Sequence, residues 1–203
     1  MYIIGITGGS GCGKTVVLRV LERHGALALD CDEIYHELLA EDEVMKAEIG
    51  ARFGGALKDG EIDRKRLGEV VFADKSALLE LNEITHKYVI RDIKKRLAEW
   101  EKRGGTVAAI DAIALFESGI NKMCDVVVGV IAPAPTRISR IMSRDGIARE
   151  QAVMRIKAQK LDDFYIDNCD EILENVYSNL EEFEEVCDAY FAKFKERCPP
   201  SKS

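Results

Sequence analysis

The chain has 203 residues, of which 47% are hydrophobic and 32% charged, which fits one or two small globular domains. Its formal net charge of −7 argues against a nucleic-acid-binding protein, because binding to that backbone needs an excess of Lys and Arg on one face. No apolar run approaches the roughly 18 residues of a membrane-spanning helix, and no export signal is visible. We therefore expect a soluble, cytoplasmic protein.

The cysteines show neither a C-x-x-C pair nor a histidine at metal-ligand spacing, which argues against a zinc site. We interpret them as free thiols in a reducing cytosol. They are the six residues at positions 12, 31, 124, 169, 187 and 198.

The first residues predict a phosphate-binding loop between a strand and a helix. The apolar run Tyr2–Ile6 precedes a segment, Gly8–Thr15, that fits the pattern G-x-x-x-x-G-K-[ST]. Glycines let backbone N–H groups approach a polyphosphate, and the first amides of the following helix carry partial positive charge. We expect Lys14 to reach the β- and γ-phosphates of ATP or GTP and Thr15 to ligate Mg²⁺. The predicted nucleotide contacts are Gly9, Ser10, Gly11, Cys12, Gly13, Lys14, Thr15 and Val16.

The helix after the loop is predicted to end before Gly25, a left-handed terminating residue. Ala26–Leu29 then predicts a second buried parallel strand, followed directly by Asp30-Cys31-Asp32. Open α/β sheets bind ligands at this end of their strands, so these acids can orient an attacking oxygen. We choose Asp32 for this role because it reaches further past the sheet edge than Asp30. The open alternative is that Asp32 caps the next helix.

From about residue 41 to residue 104 the strand pattern is absent, and Leu and Ile recur at helical spacing among charged residues. This segment predicts a helical insertion in an α/β core, with a last helix over roughly 76 to 103. His86 lies on that helix. From spacing alone, a lone histidine among apolar residues is more often part of a core than a ligand.

Two apolar runs, Thr106–Ile110 and Cys124–Ile131, predict further strands of the same sheet, and a last short strand is predicted at 164 to 167. Asp111 follows the first of these strands and suits an acid that faces Mg²⁺ or substrate. From spacing alone Glu117 is interpreted as an acid at a helix terminus. The alternation predicts a three-layer, doubly wound α/β fold with a five-stranded parallel sheet.

Arg137, Arg140 and Arg144 fall at i, i+3 and i+7, on one face of a predicted helix. Forked cations on a movable segment can close over ATP phosphates and exclude water. The alternative is a solvated helix with salt bridges to Asp145 and Glu150. We favour a phosphate-binding lid for Arg140 and Arg144, and leave both interpretations open for Arg137.

A set of motifs in a fixed order extends over nearly the whole chain. The motifs are the phosphate loop, Asp30-Cys31-Asp32, Thr85-His86-Lys87, the segment from Asp111 to Glu117, Arg140-x-x-x-Arg144-Asp145 with Arg149 and Gln159 downstream, and Ile166-Asp167-Asn168. Together they resemble the dephospho-CoA kinase family. The chain departs from that family's usual pattern at Lys87 and within Ala112–Ala114, where the family has prolines, and both changes remove fixed φ angles.

The resemblance implies a P-loop kinase that uses ATP and Mg²⁺ to phosphorylate the ribose 3′-hydroxyl of dephospho-CoA, the last step of coenzyme A synthesis. It implies that Asp32 orients or deprotonates this hydroxyl and shares the Mg²⁺ site with Thr15. The cations that stabilise the transferring phosphoryl group would be Lys14, Arg140 and Arg144. Further nucleotide contacts would come from Arg140 and Asn168, and acceptor contacts from Asp32, His86, Asp111 and Glu117.

By the same resemblance, residues 1–40 and 105–203 form the nucleotide-binding core, 41–104 the acceptor-binding insertion and 134–162 the lid. Two other functions stay open: a kinase of the same fold that acts on a nucleoside or sugar, and a nucleotide-dependent regulatory switch. The absence of an Asn/Thr-Lys-x-Asp base-reading segment after the run ending at Ile131 argues against the switch. The sequence leaves the oligomeric state open.

Overall fold

A computed structural model of the chain describes residues 1–58, 61–177 and 179–193. These residues separate into two compact units. One comprises residues 1–29 together with the described residues from 99 onward, and the other comprises residues 30–98.

Short 3₁₀ turns at Gly54–Ala56 and Ile120–Met123 accompany the regular elements. The helices and strands are, in chain order, β1 (Tyr2–Thr7), α1 (Lys14–Arg23), β2 (Leu27–Asp30), α2 (Cys31–Glu41), α3 (Glu43–Arg52), β3 (Leu57–Lys58), β4 (Glu61–Ile62), α4 (Arg64–Ala73), α5 (Lys75–Lys102), β5 (Val107–Asp111), β6 (Val126–Ile131), α6 (Ala134–Asp145), α7 (Arg149–Lys157), α8 (Asp162–Asn168), β7 (Glu171–Glu174) and α9 (Leu180–Ala192).

The main sheet has five strands in the order β2-β5-β1-β6-β7. The pairs of β1 with β5, β1 with β6, and β6 with β7 are parallel, and Ile6 lies opposite Asp111 in the register of the first pair. The predicted parallel α/β sheet is therefore confirmed. Because β1 is the central strand, the loop that follows it leaves the sheet at the middle of its C-terminal edge.

The core of this unit explains why the first helix follows the loop so closely. Alternate residues of β1, including Ile4 and Ile6, pack with Val17 and Val20 of α1, and Phe183 of α9 joins the same cluster. Burial of such side chains contributes about 1.5–3 kcal/mol each relative to exposure. This packing fixes α1 against the sheet, and with it the start of the helix at the loop.

Residues 30–98 form a helical unit with a core of their own. Met45 and Ile49 of α3 pack with Leu67 of α4 and with Leu81 and Tyr88 of α5. The prediction of an insertion made of helices alone was incomplete, because β3 and β4 form a short antiparallel ladder within it. Strands of two residues are too short to show a period in the sequence.

The strand predicted at 164 to 167 is wrong. These residues belong to α8, and the last strand of the sheet is β7. The apolar run Phe164-Tyr165-Ile166 imitates a buried strand, whereas Asp162 and Asp163 favour a helix because acids in a first turn complement the helix dipole.

Among the described residues, no helix has both the length and the apolarity to cross a membrane. The five cysteines in the described ranges are free thiols, and Cys198 lies outside those ranges. Burial raises the pKa of Cys12, which lies inside the phosphate loop, and raises that of Cys187 to about 12.

Candidate active site

The phosphate loop joins β1 to α1 in a backbone conformation that depends on its glycines. Gly8, Gly11 and Gly13 have φ values of 142°, 80° and 107°, in the region that L side chains rarely adopt. A Cβ at Gly8 would also lie 2.2 Å from the carbonyl oxygen of Val130 on β6. Gly13 occupies the N-cap position of α1, so the amides of the first helical turn directly follow the loop.

Lys14 and Asp111 meet at the C-terminal edge of the sheet. Lys14 Nζ lies 3.8 Å from Asp111 Oδ1, with the two side chains 12% and 8% exposed. Asp111 is placed there because β5, which it ends, pairs with β1. Thr15, next to Lys14 in the first turn of α1, is exposed. The edge therefore combines a largely buried cation with the oxygen donors of Thr15 and Asp111.

The three arginines of α6 lie at very different depths. Arg137 is buried, and its Nε donates to the Ser10 carbonyl at 3.0 Å. Arg140 is half-buried, and its Nη1 donates to the Gly11 carbonyl at 3.2 Å. Burial lowers the pKa of Arg140 from its usual value. The predicted face of the helix thus directs its first two guanidinium groups onto the backbone of the phosphate loop.

Arg144, one turn further along α6, is exposed and donates to Asp145 from Nε at 2.7 Å and from Nη2 at 3.0 Å. Arg155 of α7 also pairs with Asp145. Hydrogen bonds and charge from Arg144 and then Arg155 lower the pKa of Asp145 to about 2. The ion pair with Asp145 that we considered as an alternative is therefore present for Arg144.

An asparagine that the sequence did not single out contacts the loop. Asn175 follows β7 directly, is buried, and donates from Nδ2 to the Cys12 carbonyl at 2.8 Å. The predicted nucleotide contact, Asn168, is exposed at the end of α8 and donates to the Phe164 carbonyl at 2.8 Å. Asn175 directly follows a parallel strand, and that position is the sequence signal that could have identified it. Because the last strand was predicted at 164 to 167 and not at β7, this signal was hidden.

Asp30, the last residue of β2, and Asp32, in the first turn of α2, have different surroundings. Asp30 is the N-cap of α2, and its Oδ1 accepts the N–H groups of Asp32 at 2.8 Å and Glu33 at 3.2 Å. Asp32 lies in the first turn of α2 and is exposed. The cap considered for Asp32 is thus supplied by Asp30.

The remaining predicted acceptor contacts lie on α5 and in the turn after β5. His86 is half-buried on α5 within residues 30–98, next to Thr85, whose hydroxyl donates to the Leu81 carbonyl at 2.9 Å. Glu117 is exposed and lies 3.5 Å from Lys160 Nζ. In the sheet unit, five side chains meet at the phosphate loop: Lys14, Asp111, Arg137, Arg140 and Asn175. The contacts described for Glu117, Arg144 and Asn168 are with residues outside the loop.

Comparisons with known proteins agree with this arrangement. A family model described as dephospho-CoA kinase matches residues 2–181. A dephospho-CoA kinase from Geobacter sulfurreducens is 43% identical over 162 residues, which cover 78% of this chain and 82% of the relative.

Solved structures match over almost the full length. The crystal structure of TT1252 from Thermus thermophilus has a TM-score of 0.80 and 31% identity, and the match covers 95% of this chain and 97% of that one. The dephospho-CoA kinase from Campylobacter jejuni has a TM-score of 0.70 and 25% identity, with 96% and 98% covered. With its phosphate loop, the Lys14–Asp111 pair and these matches, the chain belongs to the dephospho-CoA kinase family.

Proposed function

We propose that this chain transfers the γ-phosphoryl group of ATP to the ribose 3′-hydroxyl of dephospho-CoA, giving CoA and ADP. The observation that carries the proposal is the glycine-dependent phosphate loop, with Lys14 beside Asp111, in a chain of the dephospho-CoA kinase family. In the reaction, the acceptor oxygen bonds to phosphorus, the bond from phosphorus to the bridging oxygen breaks, and ADP leaves with that oxygen.

The phosphate loop and Lys14 supply the electrostatic part of catalysis. Backbone amides at the start of α1 bind the phosphate oxygens, and Lys14 balances the charge of the transferring group. Because the Lys14 side chain is largely withdrawn from water, its attraction for phosphate is screened less than that of a surface lysine.

Asp32 is the proposed group that orients the acceptor hydroxyl and takes its proton. Its carboxylate is exposed, and Asp30 makes the capping bonds of α2. A general base must be within hydrogen-bond reach of the proton that it accepts, so an exposed carboxylate suits an acceptor that arrives from solution.

Oxygen donors in the chain also fit a magnesium ion. Hydroxyl and carboxylate oxygens are the protein ligands that Mg²⁺ prefers, usually together with substrate phosphates and water. We propose that Thr15 and Asp32 hold the ion, and Asp111 provides a further carboxylate beside the loop. When bound, the ion would neutralise charge on the phosphates.

We also propose that the helical insertion, with His86 and with Asp111 and Glu117 of the sheet unit, binds dephospho-CoA, and that Asn168 and the 134–162 segment complete the nucleotide site as a lid. Free thiols at the five described cysteines favour a cytosolic location.

The test is the release of ADP from ATP and Mg²⁺ by the purified protein, with dephospho-CoA compared with a panel of nucleosides and sugars. We expect strong acceleration by dephospho-CoA only. Acceleration by another hydroxyl compound instead would show a kinase of the same fold with a different acceptor, and the absence of any acceleration by dephospho-CoA would refute the proposal.

Replacing Arg144 by alanine is expected to lower kcat/KM about 10-fold or more, the loss typical of one charge-assisted hydrogen bond to the transferring group. Arg155→Ala is the matched control, because Arg155 pairs with the same Asp145 but lies on α7. The control should retain wild-type kinetics in steady-state assays. Equal kinetics for both variants and the wild type would assign Arg144 to the solvated face of α6.

A further inference from the structure

The outer side of the phosphate loop is held by side chains that lie far from it in sequence. Three successive carbonyls, of Ser10, Gly11 and Cys12, accept hydrogen bonds from Arg137 Nε, Arg140 Nη1 and Asn175 Nδ2. The distances are 3.0, 3.2 and 2.8 Å. We call Arg137, Arg140, Gln159 and Asn175 the carbonyl clamp.

Gln159 ties Arg137 to the loop a second time. Its Oε1 accepts both the Ser10 N–H at 2.9 Å and Arg137 Nη2 at 3.0 Å, and its Nε2 donates to Ser10 Oγ at 2.7 Å. A direct hydrogen bond links the other two members, because Arg140 Nη2 donates to Asn175 Oδ1 at 3.1 Å. The four side chains thus form two hydrogen-bonded pairs, and both pairs hold the backbone of the loop.

The clamp is too buried to move freely. Arg137 is 3% exposed and Asn175 is 2% exposed. Arg137 Nη1 also lies 3.5 Å from Asp162 Oδ1, so the guanidinium has a counter-charge. Withdrawing a buried guanidinium from these partners is costly, which makes Arg137 a fixed anchor at the base of the 134–162 segment rather than a cation that closes over the nucleotide.

Two glycines of the loop leave the space that the clamp side chains occupy. A Cβ at Gly9 would lie 2.0 Å from Arg137 Nη2, and a Cβ at Gly13 would lie 2.5 Å from Asn175 Nδ2. The approach of the clamp is therefore a second reason for glycine at these two positions, besides the approach of a phosphate.

We infer that the carbonyl clamp sets the phosphate loop in its anion-binding conformation before the nucleotide arrives, with Arg137 and Asn175 as positioning residues. The clamp holds the three carbonyls and also the Ser10 N–H, so the N–H groups left to bind a phosphate include those of Gly13 and the first residues of α1, which have no intrahelical acceptor. A loop ordered in advance loses less conformational freedom on binding. The inference rests on the proposed function for the identity of the nucleotide.

The experiment is calorimetric titration of Arg137→Met and Gln159→Leu with ADP and with a non-hydrolysable ATP analogue, well below the melting transition. The loop surrounds phosphates that both nucleotides share. We therefore expect both affinities to fall by a common factor, about 10-fold for Arg137→Met, as for the loss of one charge-assisted hydrogen bond. Arg23→Met is the control, because Arg23 is an exposed arginine at the end of α1 that pairs with Glu184 of α9, and it should leave both affinities unchanged.

A loss confined to the ATP analogue would overturn the inference, because it would make Arg137 a γ-phosphate ligand. Unchanged affinities with a lowered melting temperature would also overturn it, in favour of a purely structural role. Gln159 is half-buried, so Gln159→Leu decides the matter if Arg137→Met does not fold. Nucleotide binding is measured without acceptor, so failure to phosphorylate dephospho-CoA would refute the proposed function and leave this result standing.

Discussion

Replacement of Asp32 by asparagine is expected to lower kcat by about 10²-fold or more, because an amide cannot take the proton of the acceptor hydroxyl. The KM for ATP should stay close to that of the wild type, since the phosphate loop and Lys14 are unchanged. Steady-state kinetics with dephospho-CoA and ATP measure both quantities. Asp32 is exposed, so the melting temperature should hardly move.

Asp30→Asn is the matched control for this prediction. Asparagine caps helices about as well as aspartate, so the bonds from the N–H groups of Asp32 and Glu33 should persist. We expect near-normal turnover in Asp30→Asn. Normal turnover in Asp32→Asn, or the large loss appearing in Asp30→Asn instead, would contradict the role given to Asp32.

Replacement of Lys14 by methionine is expected to lower kcat/KM by about 10²- to 10³-fold, the range seen when one preorganised group that stabilises transition-state charge is removed. The methionine side chain fills similar space but carries no charge to offset the γ-phosphate. Single-turnover measurements with saturating ATP separate this loss from weaker ATP binding.

Lys14→Met should also destabilise the fold, because it leaves the buried Asp111 carboxylate without the Lys14 ammonium 3.8 Å away. We expect a loss of about 1–3 kcal/mol in the free energy of unfolding. The double variant Lys14→Met with Asp111→Asn removes the carboxylate charge as well and should recover most of that stability but no turnover. Recovery of turnover together with stability would show that Lys14 acts only through folding.

Local patterns were sufficient for the phosphate loop and for most of the sheet. The glycine and lysine positions of the loop form one contiguous pattern that can be recognised without knowledge of the fold, and α1 begins within that pattern at Lys14. Asp111 was identified for the same reason, since it ends a continuous apolar run that forms β5. Strongly apolar central strands are visible in sequence because both of their faces are buried.

The edge strand β7 could not be recognised from the local sequence in this way. β7 has four residues and pairs with β6 alone, so its position depends on a partner some 40 residues earlier in the chain. The more apolar segment inside α8 resembles a buried strand more closely than β7 does, and this likeness hides the position of Asn175 at the end of β7. The roles of Asn168, Glu117 and His86 stay predictions.

The sequence alone determined that an anion-binding loop joins the first strand to a helix, and that Arg137, Arg140 and Arg144 share a helix face. Only the tertiary structure decided that these three arginines lie at different depths and have different partners. Spacing sets the direction of a side chain, whereas the depth at which the helix packs sets its surroundings. Arg137 is buried and meets a loop carbonyl 127 residues away in the chain, whereas the Arg144 side chain is 61% exposed beside its neighbour Asp145. A buried guanidinium needs partners at the depth where it lies, because leaving it unsatisfied would cost about 3–5 kcal/mol, a large share of the free energy of unfolding of a typical domain.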